Sequence, residues 1–194
     1  MRDRKAVLTT GGAAEFCGVS ASTIRNWTNS RGLPCRIEMD SGNRFILRDD
    51  LIEFLKKNGI AFPKANAAEA AGGTYNILLI GVPAKMTLGL IRAIPATDSI
   101  TYRMADTFFQ AGYLANQNPP DLIVTDLSIG RSEAMAMATW IKSLKWHGSC
   151  QLIAIAGEDE VHVTRLFEAG FNEAFVRPFD DDAVTLAIKD RIGR

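Results

Sequence analysis

Residues 120–130, PDLIVTDLSIG, form an apolar run that ends on an acid, Asp126. Leu122, Ile123 and Val124 follow one another without the alternation of a half-buried strand. A short apolar run between Pro and Gly predicts a strand buried on both faces of a parallel sheet. Proteins built on such sheets place ligands and chemistry at the carboxyl ends of the strands. Asp126 is therefore the first candidate for a functional residue.

The same pattern repeats on both sides of this strand, from Tyr75 to Arg194. The other apolar segments are YNILLIGV (75–82), SITYRMA (99–105), CQLIAIAG (150–157) and EAFVRPF (173–179). Helix-forming segments separate them. Alternating strands and helices predict an α/β domain with a five-stranded parallel sheet that is covered on both faces.

A change of composition separates this domain from the N-terminal part of the chain. The stretch IAFPKANAAEAAGGTY (60–75) is rich in Ala and Gly and has no clear periodicity, which is typical of a flexible linker. We therefore predict an N-terminal domain at 1–59, a linker at 60–74 and a second domain at 75–194. Residues 1–66 hold 11 Lys and Arg against 7 Asp and Glu, whereas residues 67–194 hold 11 against 15. The basic first third favours an anionic partner.

The N-terminal segment has the pattern of two short helices around a tight turn, followed by a hairpin and a third helix. Thr9 or Thr10 can cap the first helix, and Ser20 is a suitable N-cap for the second. Ile24 and Trp27 lie at helical spacing on the inward face of that second helix. Its polar outer side chains suit the major groove of DNA, where they can contact base edges and phosphates.

The sequences GVSASTIRNW, GLP and RDDLIEFL carry a resemblance to the winged helix-turn-helix of MerR-type and excisionase-type regulators over residues 7–58. The resemblance implies that the helix from Ser20 to Ser30 enters the major groove, that the hairpin is a wing, and that two copies bind double-stranded DNA. A helix-turn-helix that serves protein contacts only is the alternative. The predicted DNA-binding residues are Ser22, Thr23, Arg25, Asn26, Arg31, Asn43 and Arg44.

Residues 75–194 resemble a receiver domain of response regulators, which has a flavodoxin-like fold. PDLIVTD and FEAGFNEAFVRPFD carry the resemblance. It implies that Asp126 stands at the phospho-acceptor position and that dimers form through the stretch 160–191. Other regulatory proteins are further partners that the resemblance implies.

The other positions of a receiver pocket are occupied by different residues. Gly81 and Val82 stand where receivers have an acidic pair, Ala156 replaces a hydroxyl residue, and Arg177 replaces a lysine. Mg²⁺ needs oxygen ligands, usually with more than one carboxylate. We therefore expect no metal, no cofactor and no phosphorylation at Asp126, and an ion pair with Arg177 near solvent instead. A working receiver and a small-ligand pocket are the alternatives.

The remaining features favour a cytoplasmic regulator. There is no apolar N-terminal leader, no apolar run that could span a membrane, and no nucleophile or phosphate-loop motif of an enzyme. The three cysteines lie far apart, which argues against disulfides and zinc sites. Trp140 is expected in the core or an interface. The sequence thus predicts a DNA-binding transcription regulator that dimerises through a receiver-like domain and acts without phosphorylation. There are two alternatives: a phosphorylatable response regulator that uses Asp126, and an adaptor without a DNA role.

Overall fold

The computed structural model describes residues 6–39, 42–60, 74–97, 99–144, 150–157 and 163–192, so that the predicted linker lies mostly outside the described residues. The strands are β1 (Val7–Thr9), β2 (Arg36–Ile37), β3 (Arg44–Leu47), β4 (Tyr75–Ile80), β5 (Ile100–Ala105), β6 (Leu122–Asp126), β7 (Gln151–Ala156) and β8 (Glu173–Val176). The helices are α1 (Thr10–Cys17), α2 (Ala21–Ser30), α3 (Arg48–Lys57), α4 (Ala84–Ala93), α5 (Phe108–Gln117), α6 (Arg131–Ser143), α7 (Val163–Ala169) and α8 (Asp181–Ile192).

The second half of the chain forms a parallel sheet with the strand order β5-β4-β6-β7-β8. Each strand is apolar because side chains on both faces are covered by helices. Helices α5, α6 and α7 cover one face, and α4 and α8 cover the other. The order is the flavodoxin-like one, and it brings the carboxyl ends of β6, β7 and β8 to one rim of the sheet.

The sheet does not end at β8. Strand β1 pairs antiparallel with β8, with Val7 opposite Ala174 and Leu8 opposite Glu173. Strand β3 pairs with the other side of β1, and β2 with β3. The sheet therefore has eight strands, and the predicted five-stranded sheet is too small because the sequence pattern gave no sign of β1.

The N-terminal helices form for the reasons seen in the sequence. Thr9 and Ser20 are the N-caps of α1 and α2, and each side chain accepts a hydrogen bond from a backbone N–H of the first turn. Gly18 ends α1 in the left-handed conformation, with a φ of 63°. Ile24 and Trp27 are buried in a small core with Phe54, whose ring centroid lies 5.3 Å from that of Trp27.

A buried group of charges joins the two halves of the chain beside the β1–β8 pairing. Glu173 on β8 is fully buried; its Oε1 lies 3.2 Å from Arg48 Nε, and its Oε2 accepts a hydrogen bond of 2.5 Å from Arg191. Arg48 also pairs with Asp190 on α8 and lies over the ring of Phe16 on α1. Two cations thus face two anions, which balances the charge of a group in which Arg48, Glu173 and Arg191 are buried.

A second contact between the halves is polar and close. Glu15 on α1 accepts hydrogen bonds from Asn172, just before β8, and from Gln151 on β7. Gly12 makes this approach possible, because a Cβ at that position would lie 2.2 Å from the carbonyl oxygen of Asn172. Helix α1 is therefore seated on the end of the receiver-like sheet.

The hairpin of β2 and β3, which is the predicted wing, makes a third contact between the halves, with α7. Thr164 donates a hydrogen bond of 2.6 Å to Glu38, which follows β2. The ring of Phe45 on β3 stacks on that of Phe167, with centroids 5.7 Å apart. The β8 edge and part of α7, where the resemblance to receivers places dimerisation, are thus occupied by the N-terminal segment of the same chain.

We expect Glu173→Gln to lower the free energy of unfolding by about 3 kcal/mol, because the loss of one partner leaves buried arginines with too little negative charge. Urea denaturation of the full chain measures this change. The matched control is Glu53→Gln, which removes the same charge from an exposed position on α3. Equal stability of the two variants would show that the buried group does not hold the halves together.

Candidate functional site

Helix α2 presents its polar face to solvent because its apolar face is fixed in the N-terminal core. Ser20 Oγ accepts a hydrogen bond of 3.2 Å from Thr23 N, which sets the start of the helix. Of the residues predicted to contact DNA, Ser22, Arg25 and Asn26 are exposed. Thr23 is half-buried, and its hydroxyl lies 2.9 Å from that of Ser20. The helix thus offers a guanidinium, an amide and hydroxyls on one surface.

The wing lies against the end of this helix. Arg44 on β3 is half-buried and donates a hydrogen bond of 3.1 Å to Asn29 Oδ1 on α2. Arg31 is exposed at the end of α2, and Asn43 is exposed in the turn just before β3. Sequence reasoning missed Asn29, which fixes the wing arginine to the helix, although its position one turn after Arg25 was visible. It also missed Arg36, an exposed cation on β2.

The second candidate site is at the carboxyl end of β6. Asp126 Oδ2 accepts a hydrogen bond of 2.6 Å from Arg177, and Oδ1 accepts one of 3.0 Å from the backbone N–H of Ser128. The ion pair predicted from the sequence is therefore present. Its expected position near solvent is wrong for the acid, since Asp126 is 1% exposed whereas the Arg177 side chain is 37% exposed.

Receiver domains bind a divalent cation beside this aspartate, and the residues present here do not fit one. Gly81 and Val82 have no side-chain oxygen. A Cβ at Gly81 would lie 2.6 to 2.9 Å from carbon atoms of Ile129, so the apolar side chain of Ile129 fills the space beside Gly81. Across the described ranges, no three His, Cys, Asp or Glu residues come together as metal ligands.

The other positions of the predicted pocket hold apolar or occupied groups. Ala156 is fully buried at the end of β7, and its carbonyl accepts a hydrogen bond from the backbone N–H of Arg177. Thr125 is buried and precedes Asp126, so its hydroxyl is the nearest one in sequence to the acid. The arrangement can hold one carboxylate and one guanidinium in place, and it offers no side-chain hydroxyl at residue 156.

Burial changes the pKa of several groups outside these two sites. It raises the pKa of the thiols of Cys17 and Cys150 to about 12, so both stay protonated at neutral pH. It also raises the pKa of Tyr75 and lowers that of Arg103. Cys17 and Cys150 are therefore poor nucleophiles, as expected of structural thiols.

Comparisons with known proteins give separate matches for the N-terminal segment and for the rest of the chain. A family model described as a helix-turn-helix domain matches residues 7–59. A search of curated proteins finds no match. Several similar solved structures, which cover about 60% of this chain, are signal receiver domains.

One of these structures is the signal receiver domain of a DNA-binding response regulator protein (merR) from Colwellia psychrerythraea 34H, with 23% identity and a TM-score of 0.53 over 62% of this chain and 99% of that chain. A second is the signal receiver domain of a signal transduction histidine kinase from Syntrophus aciditrophicus, with 18% identity and a TM-score of 0.51 over 61% and 90%. A third is the signal receiver domain of an HD domain-containing protein from Pseudomonas fluorescens Pf-5, with 17% identity and a TM-score of 0.51 over 61% and 87%.

These likenesses establish a helix-turn-helix domain followed by a segment with the receiver fold. None of the helices in the described part of the chain is long and apolar enough to cross a membrane.

We expect Asp126→Asn to lower the free energy of unfolding by about 1.5–3 kcal/mol, since a buried charge-assisted hydrogen bond is lost while the shape of the side chain is kept. Thermal and urea denaturation measure this change. Asp106→Asn is the control, because Asp106 is an exposed acid that follows β5, which is separated from β6 by β4. If Asp126→Asn costs no more than Asp106→Asn, the ion pair with Arg177 contributes nothing to the fold.

Proposed function

We propose that this protein is a DNA-binding transcription regulator that binds double-stranded DNA as a homodimer through α2 and the wing. Its receiver-like segment is proposed to act in assembly and in regulatory contacts without phosphorylation at Asp126. It is supported by the helix-turn-helix and receiver folds of the two halves and by the chemistry of the residues at each site.

The observation that carries the DNA proposal is the exposed polar face of α2 beside the wing. Arg25 and Asn26 are exposed at the middle of the helix, where a helix in the major groove comes closest to base edges. Arg31 and Arg36 add exposed positive charge on the same module. Phosphate contacts by such arginines release counterions and provide the affinity that does not depend on sequence.

The hydrogen bond between Arg44 and Asn29 supports a fixed relation between helix and wing. A wing that is held against the reading helix contacts the backbone at a defined distance from the bases. Contacts of this kind set the register of a protein on a duplex. A single module of this size contacts few base pairs, and this supports the proposal that two copies act together on a two-fold site.

The pocket around Asp126 supports action without phosphorylation. Transfer of a phosphoryl group to a carboxylate joins two anions, and a cation must offset their repulsion. Ile129 lies beside Gly81 where a cation and its ligands would have to fit. Arg177 already neutralises Asp126, so the acid has no need of a metal for charge balance.

Arg25→Ala is expected to weaken duplex binding by about 1–3 kcal/mol if the guanidinium contacts a base, and by less if it contacts only a phosphate. Fluorescence anisotropy with a labelled duplex at several salt concentrations distinguishes the two cases. Loss of a phosphate contact in Arg25→Ala reduces the slope of log affinity against log salt by about one unit, because fewer counterions are released.

The matched control for this measurement is Arg92→Ala, which removes an exposed arginine from α4 in the receiver-like segment. It should leave affinity unchanged. If the unaltered protein binds no duplex at low salt, the proposed DNA function is wrong, and an adaptor role becomes the better account.

Beryllofluoride with magnesium, and acetyl phosphate, should neither modify the protein nor raise its melting temperature. The physical reason is that Gly81, Val82 and Ala156 offer no side-chain oxygen to hold the cation or the phosphoryl group. Mass spectrometry and differential scanning fluorimetry test this expectation. A phosphoryl adduct that is lost in Asp126→Asn would overturn the proposal and identify a working response regulator.

A further inference from the structure

We propose that two copies of this chain meet through the outer surface of α5 and α6, at the end of the sheet opposite to the helix-turn-helix. The inference rests on the proposed function, which needs two copies on DNA, and it assigns the surface that joins them.

The surface is marked by exposed aromatic side chains. Phe109 and Tyr113 on α5 are 90% and 61% exposed, and their spacing of four residues places them on one side of the helix. Helix α6, which packs against α5, adds Trp140 at 43% exposed. We call these three residues the aromatic patch. Exposed aromatic side chains are enriched at protein interfaces relative to the rest of a protein surface.

The charge of α5 fits a second copy of the same surface. The helix sequence FFQAGYLANQ contains no charged residue. Residues that lie at a two-fold axis face their own counterparts in the second copy, so a charge at the axis meets a like charge. A neutral helix avoids this repulsion. Arg103 of the adjacent strand β5 does not disturb it, because its guanidinium donates hydrogen bonds to the carbonyls of Leu114 and Asn118.

Part of the surface that receivers commonly use for dimers is covered in this chain. Strand β8 pairs with β1, and α7 is in contact with the wing through Phe167 and Thr164. At the other end of the described sheet, β5 is the last strand and pairs with β4, and α5 lies beside both. A second copy can therefore bind at α5 and α6 without displacing the helix-turn-helix.

The position of the aromatic patch makes the proposal testable without touching the DNA surface. Four strands, β8, β7, β6 and β4, lie between β1 and β5. Substitutions at Phe109 and Tyr113 change exposed side chains, so the fold itself should be retained. Their effect on assembly can be measured separately from their effect on DNA.

The experiment is multi-angle light scattering and sedimentation equilibrium of the full chain, with and without the double substitution Phe109→Asp and Tyr113→Asp. The unaltered protein should be a dimer. The double variant should be a monomer at the same concentration, with its dimer dissociation constant raised at least a hundredfold, because four added carboxylates would be buried together. The single variant Phe109→Ser, which adds no charge, should raise the constant about tenfold.

Leu88→Asp is the matched control, since Leu88 is an exposed apolar residue on α4, away from the aromatic patch. It should remain a dimer with unchanged melting temperature. A monomeric unaltered protein would overturn the inference and leave the aromatic patch to a different partner. A double variant that remains dimeric would overturn it as well.

The same measurements separate this inference from the proposed function. If the double variant dissociates while the unaltered dimer binds no duplex, the DNA function fails and the assignment of the dimer surface stands. If the unaltered protein binds DNA but the double variant stays dimeric, the DNA function stands and the dimer surface lies elsewhere.

Discussion

The structure depends on the pairing of β1 with β8 and on the buried acid that the pairing encloses. Glu173 is the first residue of β8, whose other residues are apolar, and it is held there by Arg48 from α3 and Arg191 from α8. A buried carboxylate without such partners would be costly. The N-terminal segment supplies both β1, which pairs with β8, and Arg48, which balances the charge of Glu173. Each half therefore provides backbone hydrogen bonds and charges that the other half needs.

This constraint fixes how the functional surfaces are distributed. The helix-turn-helix covers one end of the receiver-like sheet, with α1 on Asn172 and the wing on α7. Helix α2 and Arg25 remain exposed on the far side of that module. The pocket around Asp126 keeps its place at the rim of the sheet, but an arginine and an isoleucine take the room that a cation needs. The aromatic patch lies at the remaining end.

The sequence predicts the parts of this structure that depend on local patterns. The caps Thr9 and Ser20, the buried apolar strands and the Asp126–Arg177 pair all follow from residues close in sequence or from fixed positions within a fold. The contact between the halves cannot be predicted in this way, because Arg48 and Glu173 are far apart in the sequence and no local pattern pairs them. Glu173 was the one available signal, since a charged residue between Phe171 and Phe175 in a buried strand needs a partner. The three-residue strand β1 is too short for periodicity to reveal it.

Seating α1 on the sheet through Gly12 has a consequence for how such a protein can evolve. Two-domain regulators are commonly described as independent domains joined by a flexible linker, in which either domain can be exchanged. Here a helix-turn-helix domain from another protein would need a strand of the right length, a small residue at position 12 and an arginine at position 48. All three would have to match the receiver-like half of this chain. Recombination at the linker would therefore yield chimaeras whose two domains do not fit at the interface between β1 and β8. The two domains are thus constrained to diverge together.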